Sequence, residues 1–246
     1  MNDRPPQTAQ LTEGPTSVGT FFKSKSPALA ESLCGSSLDF IVVDRQHTSV
    51  DLETVESVAR AADLGGLLVV ARMATTNFDF VNCLLDAGAH ALMIPQTETP
   101  DDIRDVVEET QYDERRSLSM GTRSGRFGTR DREEYFEWVR ERLAIIPQIE
   151  TATAVEHADE LASVESVSAL MVGPTDLAHS LGVSKDDEEF RQAVHRVIDA
   201  AREAECGVGT FAASPEEYRA WQETMDFVIY SSDAGLISLA LEQIEE

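Results

Sequence analysis

The sequence predicts a single-domain (β/α)8 TIM barrel, an α/β fold in which parallel strands close on themselves. Three observations carry this expectation. Eight short apolar runs recur along the chain, the number of strands that closes such a barrel. Amphipathic stretches of helical length lie between them, the alternation expected of repeated βα units. A chain of 246 residues with 42% hydrophobic content is also long enough to bury one large core.

Residues 1 to 16, polar and proline-bearing, read as a disordered lead, which leaves 17 to 246 as the barrel domain. The first run is SVGTFF (17 to 22) and the second DFIVVD (39 to 44). The stretch LETVESVARAADLG (52 to 65) places Leu52, Val55, Val58, Ala59 and Ala62 at helical spacing, with Gly65 as terminator. GLLVVAR (66 to 72) is the third strand, a helix is expected near 77 to 87, and HALMIPQ (90 to 96) is the fourth strand. TPDDIRDVVEETQ (99 to 111) opens with Thr99, Pro100 and acids, a helix start. YDERRSLSMGTRSGRFGTR (112 to 130) breaks the rhythm, and a connection this long is either functional or a surface excursion. Then follow a helix at 131 to 142, AIIPQIE (144 to 150), a helix at 151 to 162 and SALMVGP (168 to 174). A helix at 186 to 204, GVGTF (207 to 211), a helix at 214 to 223 and DFVIYSS (226 to 232) complete the order. The competing arrangement is an open doubly wound sheet. No G-x-G-x-x-G opens a helix after an early strand, and no G-x-x-x-x-G-K-[ST] occurs, so a dinucleotide or P-loop site is not expected.

Asp and Glu number 45 against 20 Lys plus Arg, and Lys23, Lys25 and Lys185 are the only lysines. This acid excess repels nucleic acid, whose phosphates need basic partners. Self-repulsion on this scale is tolerated where concentrated salt screens it, so a halophilic cytoplasm is the expected setting. No apolar run approaches 18 residues, and the amino terminus lacks a secretory pattern, so neither membrane insertion nor export is expected. Cys34, Cys83 and Cys206 are few and far apart, and read as small core residues.

In a barrel the active site lies where strands end, and here those ends are polar. Strand two ends Asp44-Arg45-Gln46-His47, strand three Arg72, strand five Gln148-Ile149-Glu150, and strand six runs into Gly173-Pro174-Thr175-Asp176. Neighbouring parallel strands lie about 4.8 Å apart, so Glu150 and Asp176 can reach one ion. Two carboxylates suit Mg2+ or Mn2+, with Co2+ a further candidate; either acid could instead cap a helix. Arg72 either pairs with a carboxylate or faces an anionic substrate oxygen. His47 has the intrinsic range of a general base, or else packs structurally. His90 starts its run on the far side, His157 and His195 lie in expected helices, and His179 has no clear partner.

Together these residues resemble the HpcH/HpaI family of class II, metal-dependent pyruvate aldolases, from about Val18 to Leu241. The family's D-x-x-H after strand two matches Asp44 and His47, and its arginine after strand three matches Arg72. LLDAGAHALMIP (84 to 95), PQIET (147 to 151), VGPTDLAHSLG (172 to 182) and DFVIYSSD (226 to 233) follow in the family's order. The resemblance implies a 2-oxo acid substrate and a divalent ion held by Glu150 and Asp176. Substrate contacts would come from Arg72, Gln148 and the Gly173-Pro174-Thr175-Asp176 turn, whose amides receive the carboxylate. His47 would move the proton of retro-aldol cleavage through a water on the metal. No Schiff-base lysine is needed, and the three lysines lie outside the expected strand ends. The family pairs its histidine with the aspartate matching Asp86, which should lie on the opposite face of its own barrel. Either it acts in a neighbouring subunit of the homohexamer that the resemblance implies, or it merely ends its helix. Arg45 and Gln46 stand where the family usually has Gly-Glu, and RRSLSMG (115 to 121) replaces its Arg-Gly segment. Arg45 and Gln46 are thus specificity candidates on the aldehyde's approach. Two other readings stay open: an impaired paralogue that only binds 2-oxo acids, and a lyase of a coenzyme A thioester.

Overall fold

A computed structural model describes residues 11–12, 14–74, 80–110 and 119–242. Eight parallel strands close a barrel in sequence order: β1 (Ser17–Phe22), β2 (Phe40–Asp44), β3 (Leu68–Arg72), β4 (Ala91–Ile94), β5 (Ala144–Ile149), β6 (Ala169–Val172), β7 (Gly207–Ala212) and β8 (Phe227–Ser232). Each lies within its expected run, except that β7 extends one residue past 211 to Ala212. These strands are buried on both faces, which is why they read as continuous apolar runs and not as alternating ones. Phe21, Phe40, Val42, Val70, Met93, Ile146, Met171 and Phe227 fill the barrel interior, and a second apolar layer joins the strands to the helices.

The helices are α1 (Pro27–Leu33), α2 (Leu52–Gly65), α3 (Val81–Ala87), α4 (Pro100–Thr110), α5 (Arg132–Arg142), α6 (Ala152–Glu156), α7 (Ala158–Ala162), α8 (Pro174–Leu181), α9 (Glu188–Glu203), α10 (Pro215–Trp221) and α11 (Asp233–Glu242). The single helix expected over 151 to 162 is two short ones, with His157 between them. α1, α8 and α11 were not expected. α2 covers the expected 52 to 65, but Gly66 and not Gly65 takes the left-handed cap conformation, at φ 86°.

Two further expectations change. Most of the lead lies outside the described residues, but Leu11 is buried with the interior side chains and Thr16 bonds the carbonyl of Met225 at 3.1 Å, so its end belongs to the barrel. Of the three cysteines only Cys206 is a core residue, its thiol pushed up to about 11 by burial, while Cys83 is exposed. Residues 112 to 118 of the expected long connection lie outside the described residues; the rest, from Ser119, folds back under the barrel. There Thr122 and Ser124 donate to Asp86 at 3.1 and 3.2 Å, and Arg123 pairs with Asp63.

Candidate active site

Asp44 and Arg72 end neighbouring strands as register partners, and this pairing organises the mouth of the barrel. Arg72 donates from Nε to Asp44 Oδ1 at 3.0 Å and from Nη2 to Oδ2 at 2.8 Å, a two-pronged bond with both residues buried. Asp44 Oδ1 also accepts the amides of Gln46 at 2.9 Å and His47 at 3.2 Å. The turn so formed swings His47 onto the rim. Arg72 lies 4.2 Å from the centroid of the Phe21 ring, and its Nη1 makes no hydrogen bond among the described residues. Both alternatives for Arg72 are therefore compatible: a structural pair on one edge and an open edge toward the cavity.

Burial opposes ionisation of Asp44, yet the Arg72 bond and charge, with the His47 and Gln46 amides, outweigh it and hold its carboxyl below the ordinary 3.8. A depressed folded pKa contributes stability that is complete above the unfolded value and is lost as pH falls through the folded one. Wild-type protein should thus lose Tm below pH 3.8 through this pair. Asp44→Asn is expected to start from a lower Tm at pH 7 and to show a shallower acid decline; melting curves from pH 7 down to pH 2 check this, and parallel declines refute it.

Across the mouth, Glu150 follows β5 and Asp176 sits in the first turn of α8. Thr151 caps α6 by accepting from the Ala154 amide at 3.1 Å, and α8 has no side-chain cap, so neither acid serves as a cap. Glu150 is buried; its Oε2 accepts the Gln96 amide at 2.9 Å and its Oε1 the Gln148 side-chain amide. Gln96 adopts a left-handed φ of 55°, a strained conformation for a non-glycine residue that aims its N–H at the carboxylate. A Cβ on Gly173 would stand 2.8 Å from Glu150 Cγ, so only glycine lets β6 run this close to the acid. Burial raises the Glu150 pKa and the Asp176 charge adds to that, against the pull of the Gln96 amide and Arg72. Neither acid has an ion-pair partner among the described residues.

This pair fits a hard divalent cation: two oxygen donors, one just after β5 and one in the helical turn after β6, the first buried beside a like charge with no base paired to it among the described residues. The described residues hold no group of three or more His, Cys, Asp or Glu that would ligate a metal, so water and substrate would complete the coordination. Gln148 Oε1 and Gln46 Oε1 are buried without a hydrogen-bond partner and add two unused acceptors nearby.

Two cavities meet at His47 and Asp176, which line both. The larger, about 520 Å³, is bounded by Gln46, Gln96, Thr99, Asp102, Glu150 and His179. The smaller, about 200 Å³, is bounded by Lys23, Arg72, Gln148, Gly173, Pro174 and Thr175. The expected residues His47, Arg72, Gln148, Glu150, Gly173, Pro174, Thr175 and Asp176 thus converge. Three placements differ from expectation. Arg45 lines neither cavity, since its guanidinium lies 5.0 Å from the Phe80 ring centroid, and only Gln46 of that pair reaches the site. Lys23, expected outside the strand ends, directly follows β1 and stands 3.8 Å from Asp44. Gln96, not singled out in the sequence, supplies the amide to Glu150. Asp86, at the end of α3, lies at the opposite end of the barrel from His47, as expected for a residue preceding β4. His90 is also on that side, its Nδ1 accepting the Val69 amide at 3.0 Å.

The family model described as HpcH/HpaI aldolase/citrate lyase matches residues 17–236. A hydroxypyruvate/pyruvate aldolase of Paraburkholderia phytofirmans is 31% identical over 227 residues, covering 87% of this chain and 86% of that protein. A 2-keto-3-deoxy-L-rhamnonate aldolase of Escherichia coli is 29% identical over 248 residues, covering 97% and 91%. The crystal structure of an HpcH/HpaI aldolase/citrate lyase family protein from Burkholderia cenocepacia superposes with a TM-score of 0.88 at 29% identity, covering 96% of each chain.

Proposed function

Because the chain belongs to the HpcH/HpaI aldolase/citrate lyase family, we propose that it is a class II pyruvate aldolase, a carbon-carbon lyase that cleaves a 2-oxo-4-hydroxy acid to pyruvate and an aldehyde. The observation that carries this reading is the convergence around one mouth of an imidazole, two acids without an ion-pair partner and a guanidinium with one open edge, counted among the described residues. Glu150 and Asp176 would hold Mg2+, Mn2+ or Co2+, which supplies charge to stabilise an enolate.

The chain's own groups do the rest. Gly173 N–H is engaged with the Ile149 carbonyl at 2.9 Å and Pro174 has none, so at the start of α8 the Thr175 and Asp176 amides are left to receive the substrate carboxylate. Gln148 and the open edge of Arg72 face the same small cavity, placed to donate to the 2-keto oxygen. His47 takes the proton of the C4 hydroxyl; the C3–C4 bond breaks, the aldehyde leaves, and its electron pair becomes the enolate across C2 and C3. Protonation of C3 then gives pyruvate.

The test is deuterium exchange into the pyruvate methyl group, followed by NMR in high salt with each of several divalent cations. Exchange is expected; its absence with every cation in folded protein overturns the reading. Of the departure that motivates the impaired-paralogue reading, Arg45 lies away from both cavities while Gln46 lines the larger one, so the exchange assay also decides between the two readings.

The same reading includes a homohexamer in which Asp86 of one subunit meets His47 of the next. Exposed Ile237 and Leu241 on the apolar α11 support an assembly. No helix among the described residues is long and apolar enough to cross a membrane. The net charge of −25 supports a salt-rich cytoplasm as the working environment. Dilution from molar to about 0.1 M salt, where the screening length reaches about 10 Å, is expected to lower Tm markedly. An unchanged Tm would argue against halophily.

A further inference from the structure

We infer that Lys23 selects the aldehyde, favouring one that carries a negative charge over a neutral one of the same length. This rests on the aldolase reading above and deepens it. Lys23 borders the smaller cavity, in which the 2-oxo acid would sit, together with Arg72, Thr175 and His47, the group that would take the proton of the C4 hydroxyl. The root of the side chain is fixed: buried Asp233, at the start of α11, accepts the backbone amides of Lys23 at 3.0 Å and Ser24 at 2.7 Å, tying the end of β1 to the end of β8.

The charge of Lys23 is in excess. Its nearest carboxylate is Asp44 at 3.8 Å, beyond hydrogen-bond length, and that carboxylate already accepts both prongs of Arg72 and two amides. Asp44 and Arg72 cancel, and Glu150 and Asp176 would be offset by the divalent ion. Lys23 remains, 41% exposed, with no hydrogen bond from its ammonium among the described residues. Its contrast is Lys185, which is spent on Glu217 at 2.6 Å. In a chain of net charge −25 whose field turns anions away, an unspent cation at the mouth creates local attraction for one. Of the other cations near this loop, Arg45 is turned toward Phe80 and Lys25, which interacts with Asp51, borders neither cavity.

The experiment measures kcat/KM in the condensation direction, with pyruvate as donor and either glyoxylate or glycolaldehyde as acceptor, at one fixed salt concentration. Wild type, Lys23→Met, Lys23→Gln and Lys23→Arg are compared, with Lys185→Met as a control for loss of one surface charge. The glyoxylate-to-glycolaldehyde ratio is expected to fall about tenfold in the Met and Gln variants, to be largely kept in the Arg variant and to be unchanged in Lys185→Met. A wild-type ratio retained in both neutral variants overturns the inference while leaving the aldolase reading intact. Absence of pyruvate methyl exchange in the wild type overturns that reading first, and the inference with it.

Discussion

Glu150→Gln is expected to lower exchange of pyruvate methyl protons by about 10³-fold and to abolish the rise in Tm that Mg2+ or Mn2+ gives the wild type. The substitution keeps the shape of a buried side chain whose two oxygens meet the Gln96 amide and the Gln148 side chain. It removes only the charge. In the wild type that charge is disfavoured by burial and by Asp176, a condition that a divalent ion held by both acids would relieve. Binding to the folded state alone raises Tm, so the wild type should respond to added cation and the variant should not. The Gln96 amide can still donate to the new side-chain oxygen, and the Gln148 amide can turn, so the metal-free variant should melt close to the metal-free wild type. Thermal melts with and without cation, beside the exchange assay, decide the matter. A variant that keeps both responses would show that Glu150 is not a ligand; one that melts far below metal-free wild type would show that its role is structural.

The strands were legible because parallel strands inside a barrel are apolar on both faces, and eight such runs have few other arrangements. The acids, Arg72 and His47 were legible for a related reason, since polar residues that close apolar strands must face either a partner or solvent at the mouth. What escaped the sequence is carried by backbone or by direction. The contribution of Gln96 is an N–H aimed by a left-handed φ, for which its side chain gives no signature. α8 begins Pro-Thr-Asp directly after a glycine, which reads as a turn, yet Pro174 is preorganised for a helix's first turn. α11 is apolar and mostly exposed, so it lacks the one-sided pattern of a helix packed on a barrel. Arg45 follows a buried aspartate, and neighbouring positions in extended chain point to opposite sides, so its divergence from Asp44 could have been foreseen. Lys23 lies in a polar Lys-Ser-Lys stretch that conceals its anchor, because Asp233 is some 210 residues away.

The second large effect concerns His47 and Asp86 together. His47→Gln should reduce retro-aldol turnover by about 10²- to 10⁴-fold, with little change in KM for the 2-oxo acid, because the lost group moves a proton and leaves the carboxylate contacts in place. Within one chain nothing connects this residue to Asp86: the imidazole makes no hydrogen bond among the described residues, and Asp86 stands at the other end of the barrel, held by Thr122 and Ser124. If adjacent subunits bring them together, Asp86→Asn should also lose turnover, and the double variant should be no worse than His47→Gln alone, since two members of one unit fail once. A stronger prediction follows from the geometry of a shared site. His47→Gln and Asp86→Asn subunits, unfolded and refolded together, should form some mouths with an intact His47 from one chain and an intact Asp86 from its neighbour, and activity should return to a fraction of wild type. Separately refolded variants provide the baseline. No recovery in mixed oligomers of proven mixed composition would confine Asp86 to its own barrel, where its bonds to Thr122 and Ser124 make it a clamp for the connection before α5 and leave His47 to act without a carboxylate partner.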